Sequence, residues 1–152
     1  MLSGRNILCI SVPPWKGEYA ATIVELMKRF GEQNQVLYVQ NPFTIKDLFT
    51  ALLKRRPFPY RQALGLASRI RTIPTANGAV HVMIPPVLLT NNFLPAGLVY
   101  NITARINGWL LVRSVRRQLR RLGMQSKLIQ VVAFNPVLGM FTAGAFDESL
   151  LL

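Results

Sequence analysis

Histidine and cysteine occur once each in this 152-residue chain, as His81 and Cys9. A single cysteine excludes a disulfide framework and fits a reducing compartment. The same scarcity leaves too few donors for a zinc or iron centre of ordinary ligand type, so no metal is expected. No Ser/His/Asp or Cys/His set can be assembled, because His81 is expected in mid-strand and Cys9 inside an apolar run. Neither a GxGxxG dinucleotide loop nor a GxxxxGK[ST] phosphate loop occurs, so no cofactor is expected. The N-terminal MLSGRNILCISVPPWKGE lacks a signal-peptide layout, since its apolar stretch is short and ends in Pro-Pro. The longest apolar region, 84–100, is broken by prolines and asparagines and makes a poor membrane span. A cytoplasmic location is expected.

Acidic residues are also few, six against eighteen Lys and Arg, for a formal charge of +12. Between Asp47 and Asp147 there is no carboxylate but there are thirteen basic residues. A surface this one-sided favours phosphates, nucleic acid or an acidic membrane.

What the chain does have is apolar content, 51%, ample for the core of one domain of this length. Four of its most apolar runs stop on proline: ILCISVPP, QVLYVQNP, AVHVMIPP and IQVVAFNP. The pattern predicts strands over Asn6–Val12, Gln35–Val39 and Lys127–Phe134. It also predicts a hairpin within Ile70–Ile84 around Asn77-Gly78, with Ala79–Ile84 its inner strand. Helical spacing over Ala20–Phe30 puts Ile23, Leu26, Met27 and Phe30 on one stripe, with Gly31 as a stop. Ile45–Arg55 carries Ile45, Leu48, Phe49, Leu52 and Leu53 on its stripe and ends at Arg56-Pro57. Ile102–Leu122 carries Ile102, Ile106, Trp109, Val112, Val115, Leu119 and Leu122, with Gly123 as the residue after the cap. The terminal SLLL reads as the first half of a further strand, as though the chain were a fragment of something longer. Alternating strands and helices imply βαβ units and a mostly parallel α/β sheet. Right-handed crossovers then gather the four proline stops on the C-terminal edge, where open α/β sheets bind ligands. Each stop taken alone is an ordinary turn former; their common location is what marks a cleft, with Asn41 and Asn135 on its rim.

The loop PPWKGEYAAT joins Trp15, Lys16, Gly17, Glu18 and Tyr19 just before a helix, where unpaired N–H groups can hold an anion. Glu18 is the candidate general base. The plainer readings are a solvated loop glutamate, a turn glycine and a tryptophan lid over the core. Arg105, Arg113, Arg116, Arg117, Arg120 and Arg121 lie off the apolar stripe of the long helix with no acidic residue among them. Lys54, Arg55 and Arg56 form a second cluster beside aromatics. Both can bind an anionic leaflet at about 1 kcal/mol per basic residue; both can equally be solvated faces. The aromatics form no stacking platform on exposed strands, which argues against nucleic acid.

In order and phrasing, a strand ending in a Trp loop, ATIVELMKRFGEQ, VLYVQNP, VMIPPVLLTNNFLP, RRQLRRLGM and LIQVVAFNP resemble the N-terminal domain of GT-B glycosyltransferases. The likeness is to bacterial family 4-like enzymes of cell-surface polysaccharide synthesis, similar to the teichuronic-acid group, and spans essentially the whole chain. It implies a Rossmann-like open sheet forming the acceptor-side half of a two-domain enzyme. That enzyme would transfer a sugar from a nucleotide-sugar to a glycan or lipid-linked acceptor. The donor would be held mainly by a C-terminal domain absent from residues 1–152, so this piece alone should be inactive. The resemblance further implies no metal requirement and peripheral attachment at the inner face of the membrane. It makes Trp15–Tyr19 the acceptor-side loop, but without the His or Asp that related enzymes place there. The alternative from another class is a non-catalytic basic α/β module for nucleic acid or phosphorylated ligands.

Overall fold

β-Branched runs punctuated by proline and separated by amphipathic segments fold here as successive βαβ units. The computed structural model describes residues 2–16, 21–91, 94–95, 97–133 and 136–152. Within them the order is β1 (Asn6–Ser11), α1 (Thr22–Gly31), β2 (Gln35–Val39), α2 (Ile45–Leu53), α3 (Tyr60–Ala63), β3 (Ile70–Pro74), β4 (Ala79–Met83), α4 (Leu98–Arg121), β5 (Leu128–Ala133), α5 (Pro136–Thr142) and β6 (Leu150–Leu151). The strands form one sheet in the order β3-β4-β2-β1-β5-β6. The β3–β4 pairing is antiparallel and the other four pairings in this order are parallel. This is the expected Rossmann-like α/β sheet flanked by helices. In register, Ile10 faces Val39, Val39 faces Met83 and Ser11 faces Ala133. The strands β1, β2, β4 and β5 therefore end level, on one edge.

β1 shows why the central run is continuously apolar: it is covered on both faces. Leu8 and Ile10 join Leu37, Val39 and Met83 beneath Leu111, Val115 and Leu119 of α4. Ile7 and Cys9 join Val36, Tyr38, Val80 and Val82 beneath Ile23, Val24 and Met27 of α1. Each fully buried aliphatic side chain contributes about 1.5–3 kcal/mol. Burial also pushes the Cys9 thiol up to about 12, which makes it a core residue rather than a nucleophile.

Several expectations need correction. On α1, Val24 points inward and Leu26 outward. Gly31 is the last helical residue rather than a stop beyond it, and an added Cβ there would meet Val80 Cγ2 at 2.4 Å. Its lack of a side chain lets α1 close onto β4. On α2 only Ala51 is buried; Phe49 is 58% and Leu53 82% exposed. A capping box between Thr44 and Asp47 starts this helix. Of its apolar stripe, Ile45, Phe49, Leu52 and Leu53 are exposed, so the spacing marks a two-faced helix whose apolar face is left uncovered among the described residues.

The largest correction concerns α4. Ile102, Ile106 and Trp109 of the expected stripe are exposed, and the buried face is Ala104, Asn107, Gly108, Leu111, Val115, Gln118 and Leu119. Two close contacts select that face. Asn107 Oδ1 accepts the Leu89 N–H at 2.8 Å while its Nδ2 donates to the Leu89 carbonyl at 2.9 Å. Gly108 admits the ring of Phe141 from α5. The C-terminus behaves as expected: Gly123 has φ +68°, its N–H reaches the Arg120 carbonyl and the Met124 N–H reaches that of Leu119.

The hairpin is present, with β4 as its inner strand, but Pro74 pairs with Ala79 and leaves a four-residue loop, 75–78. Gly78 is needed there for space, since a Cβ would sit 2.3 Å from the Asn34 carbonyl oxygen. The terminal leucines do pair, Leu150 opposite Ile129.

Candidate functional site

The sheet order reverses at β1: β2 and β4 lie to one side of it, β5 to the other. Chain leaving β2 and chain leaving β4 then run together. The Gln40 N–H donates to the Met83 carbonyl at 3.1 Å, Leu88 N–H to the Phe43 carbonyl at 2.8 Å and Ile45 N–H to the Leu88 carbonyl at 2.9 Å. Asn107 ties this paired segment to α4. The result is a rigid rim of non-helical backbone above the strand ends.

Three hollows open along this rim. A cleft of about 650 Å³ lies between the exits of β1 and β2 and the α2–α3 connection, lined by Val12, Gln40, Asn41, Asp47, Arg56 and Phe58 among others. Phe43 and Phe58 form its aromatic wall, their rings tilted at 54° with centroids 4.7 Å apart, and Tyr60 packs against Phe58 at 4.8 Å. A second hollow of about 280 Å³ lies on the other side of Asn41, reaching Tyr100, Asn107 and Phe141. A third of about 290 Å³ holds Trp15, Lys16, Gln40, Arg69 and Arg71. Volumes of this order suit a sugar or a phosphate group, and the first suits a larger ligand.

Of the residues expected here, Trp15, Lys16 and Asn41 are on this edge. Asn41 borders two hollows. Trp15 stands edge-on to Tyr38, centroids 5.1 Å apart, and its backbone N–H donates to Gln40 Oε1 at 3.0 Å. Tyr38 in turn donates its hydroxyl to the Pro13 carbonyl at 2.7 Å, and burial raises its pKa. The loop after β1 is thus held by side chains of β2 and of the residue that follows it. Gly17, Glu18, Tyr19 and Asn135 lie outside the described residues. The carboxylate that the described residues bring to the first of these hollows is Asp47, whose Oδ2 accepts the Thr44 N–H and hydroxyl, both at 2.8 Å. That bonding accounts for it as a helix cap.

Sequence reasoning passed over Gln40, Arg69 and Arg71. Gln40 was visible as the residue between β2 and the Asn41-Pro42 stop. The two arginines became site residues only through the antiparallel placement of β3, which returns the loop at 65–69 to the C-terminal edge. The expected basic clusters also divide. Lys54, Arg55 and Arg56 follow α2, with Arg55 held at φ 48°. Arg113, Arg117 and Arg121 line a groove with the 65–69 loop. Arg116 and Arg120 lie on another side of α4, in a hollow with Asp147, where Arg116 Nε donates to the Ala145 carbonyl at 2.8 Å.

His81 sits in β4, as expected, away from this edge. Its Nε2 lies 3.1 Å from Gln35 Oε1 and its Nδ1 2.9 Å from the Thr72 hydroxyl, and burial lowers its pKa. Among the described residues no three His, Cys, Asp or Glu side chains come together as a metal site, and no helix is long and apolar enough to cross a membrane. No protein-family model matches the chain, and neither a curated protein nor a solved structure matches it at a significant level.

Proposed function

We propose that this chain is the acceptor-side domain of a GT-B glycosyltransferase, which passes a sugar from a nucleotide-sugar to a glycan or lipid-linked acceptor. The observation that carries the reading is the reversal of strand order at β1, with four parallel strand exits level on one edge. Doubly wound sheets bind ligands at that point, and the segment order of the chain resembles this enzyme class. Trp15, Lys16, Gln40 and Asn41 would contact the acceptor. Aromatic faces such as Phe58 suit the apolar face of a sugar ring, and the amides of Gln40 and Asn41 suit its hydroxyls. Donor binding belongs in this reading to a second domain facing the cleft. The outward side of α2, with Phe49, Leu52 and Leu53 exposed beside Lys54, Arg55 and Arg56, is read as the surface that rests on an anionic membrane.

The test is to read the coding frame beyond Leu152 and assay its full product against a panel of nucleotide-sugars, detecting release of nucleoside diphosphate with membrane lipids as acceptor. Transfer is expected, with Trp15→Ala and Asn41→Ala each raising the acceptor KM about tenfold while leaving nucleotide affinity unchanged. A frame that encodes no second Rossmann-like domain, or a full product inert towards every donor, would overturn the reading.

A further inference from the structure

Arginine without a carboxylate is the unusual feature of the groove between the 65–69 loop and α4. Its volume is about 620 Å³, and Arg69, Arg113, Arg117 and Arg121 line it together with Ser68 and Ser114. No acidic residue is among the lining groups. The two ion pairs formed among the described residues, Lys28–Glu25 and Arg29–Glu32, lie elsewhere, on and just after α1.

Arg69 is built in rather than draped on the surface. Its Nε donates to the Gln62 carbonyl at 3.0 Å, its Nη2 to the Ala63 carbonyl at 3.2 Å and its Nη1 to Ser114 Oγ at 3.3 Å. Gly65, at φ +79°, makes room for the guanidinium: a Cβ there would lie 3.1 Å from Nη2. All three acceptors are neutral, so they orient the cation without neutralising it. Burial and the charge of Arg117 both lower the Arg69 pKa, so the neighbouring cations raise one another's energy. Arg113 is held in turn over the face of Trp109, 5.3 Å from the ring centroid. An ordinary solvated face mixes charge signs; here four arginines line one open groove with no carboxylate among its lining residues, and Arg117 is close enough to Arg69 for the two charges to interact. Their mutual repulsion is relieved by an anion bridging them, and guanidinium groups bind phosphate oxygens bidentately.

We infer that this groove is a binding site for a phosphate-type dianion, held between the oriented guanidinium of Arg69 and the arginine row Arg113, Arg117 and Arg121 of α4. Arg69 also lines the hollow that holds Trp15 and Gln40. A ligand whose phosphate occupies the groove can therefore extend along the C-terminal edge. The phosphate belongs either to a soluble molecule or to a lipid headgroup, and the site is independent of whether sugar transfer occurs.

The test uses two probes at constant ionic strength: inorganic pyrophosphate by titration calorimetry, and flotation with phosphatidylcholine vesicles with or without phosphatidic acid. The Arg113→Gln/Arg117→Gln double variant is expected to weaken binding by about tenfold or more. The Arg116→Gln/Arg120→Gln variant removes the same charge from the other side of α4 and is expected to stay within about twofold of the unmodified chain. Unchanged urea midpoints verify that both variants fold. Selective loss with pyrophosphate supports the site and assigns it a soluble phosphate; selective loss with phosphatidic acid vesicles alone supports it and assigns it a lipid phosphate. Absence of binding to both probes overturns the inference. So does an equal loss in the two double variants, which would reduce the effect to net charge.

Discussion

Replacing Gly108 by alanine tests the packing of α4, from which the position of the arginine groove follows. An added Cβ would stand 2.8 Å from Phe141 Cγ and 2.9 Å from Phe141 Cβ. Both atoms belong to the root of that side chain, which cannot swing aside as a flexible tip would, so α4 and α5 must separate. Overpacking of this kind costs about 1–3 kcal/mol. Alanine recovers about 0.5–1 kcal/mol through its better helix propensity. The net expectation is a loss of up to about 2.5 kcal/mol, centred on about 1, or up to about 10 °C in Tm for a chain of this length. Gly108→Val adds volume and a β-branched side chain and should lose more. The comparison is Trp109→Ala, one residue further along. Trp109 is 58% exposed and its ring contacts Arg113, so truncation should cost no more than about 1 kcal/mol. A core tryptophan would cost about 3–5 kcal/mol. Urea unfolding followed by circular dichroism measures each change, with a constant m-value as the check on two-state behaviour. A stabilised Gly108→Ala together with a severely destabilised Trp109→Ala would mean that α4 buries the opposite face, and the contact between Gly108 and Phe141 would be refuted.

Two further predictions concern buried polar groups. Burial holds His81 below its ordinary 6.5, so the unfolded chain takes up a proton more readily than the folded one. Its contribution to stability is complete above about pH 6.5, declines as pH falls towards the depressed folded value and levels off below it. His81→Gln should flatten the urea midpoint between about pH 7.5 and pH 5.5; an unchanged slope in the variant would place the titrating group elsewhere. Gln130, fully buried on β5, donates from Nε2 to Thr142 Oγ1 at 3.0 Å, while its Oε1 has no partner among the described residues. Gln130→Met removes that uncompensated carbonyl, which costs about 1–3 kcal/mol, at the loss of one hydrogen bond of about 1 kcal/mol. The midpoint should hold or rise, and a drop of several kcal/mol would show that the carbonyl is satisfied after all.

The sheet was legible in the sequence because its strands are short, β-branched and ended by proline, and because β1 and β2 are apolar on both faces. Their parallel direction followed from the intervening helical segments, and with it the shared edge on which Trp15, Lys16 and Asn41 lie. Helix orientation was less legible, for a specific reason. On α4 the contacts that select the buried face involve Asn107 and Gly108, one polar and one without a side chain, and hydropathy gives neither any weight. Periodicity found an apolar stripe, but the close approach of Phe141 and the bonds to Leu89 decided which stripe meets the sheet. On α2 the spacing was correct and the inference of burial was not, since an amphipathic period shows that a helix has two faces without saying what covers the apolar one.

The charge pattern illustrates the same limit and how structure resolves it. In sequence, Arg113, Arg116, Arg117, Arg120 and Arg121 read as one basic run. Helical geometry places residues four apart on neighbouring positions of the surface, which groups Arg113, Arg117 and Arg121 and sets Arg116 beside Arg120. Neither group has a function until the helix is rotated into place. With Gly108 against Phe141 and Asn107 against Leu89, the first group turns towards the loop that carries Arg69, and the second towards Asp147. One set of cations thus shares a hollow with a carboxylate, while the other shares a groove with a fourth cation that neutral acceptors hold in position. The electrostatic cost of that second arrangement is what makes it informative, because a solvated helix could have lowered it with a single glutamate on the same side. The packing that exposes Ile102, Ile106 and Trp109 and the packing that assembles the arginine groove are therefore one event, fixed by two residues that carry neither charge nor apolar bulk.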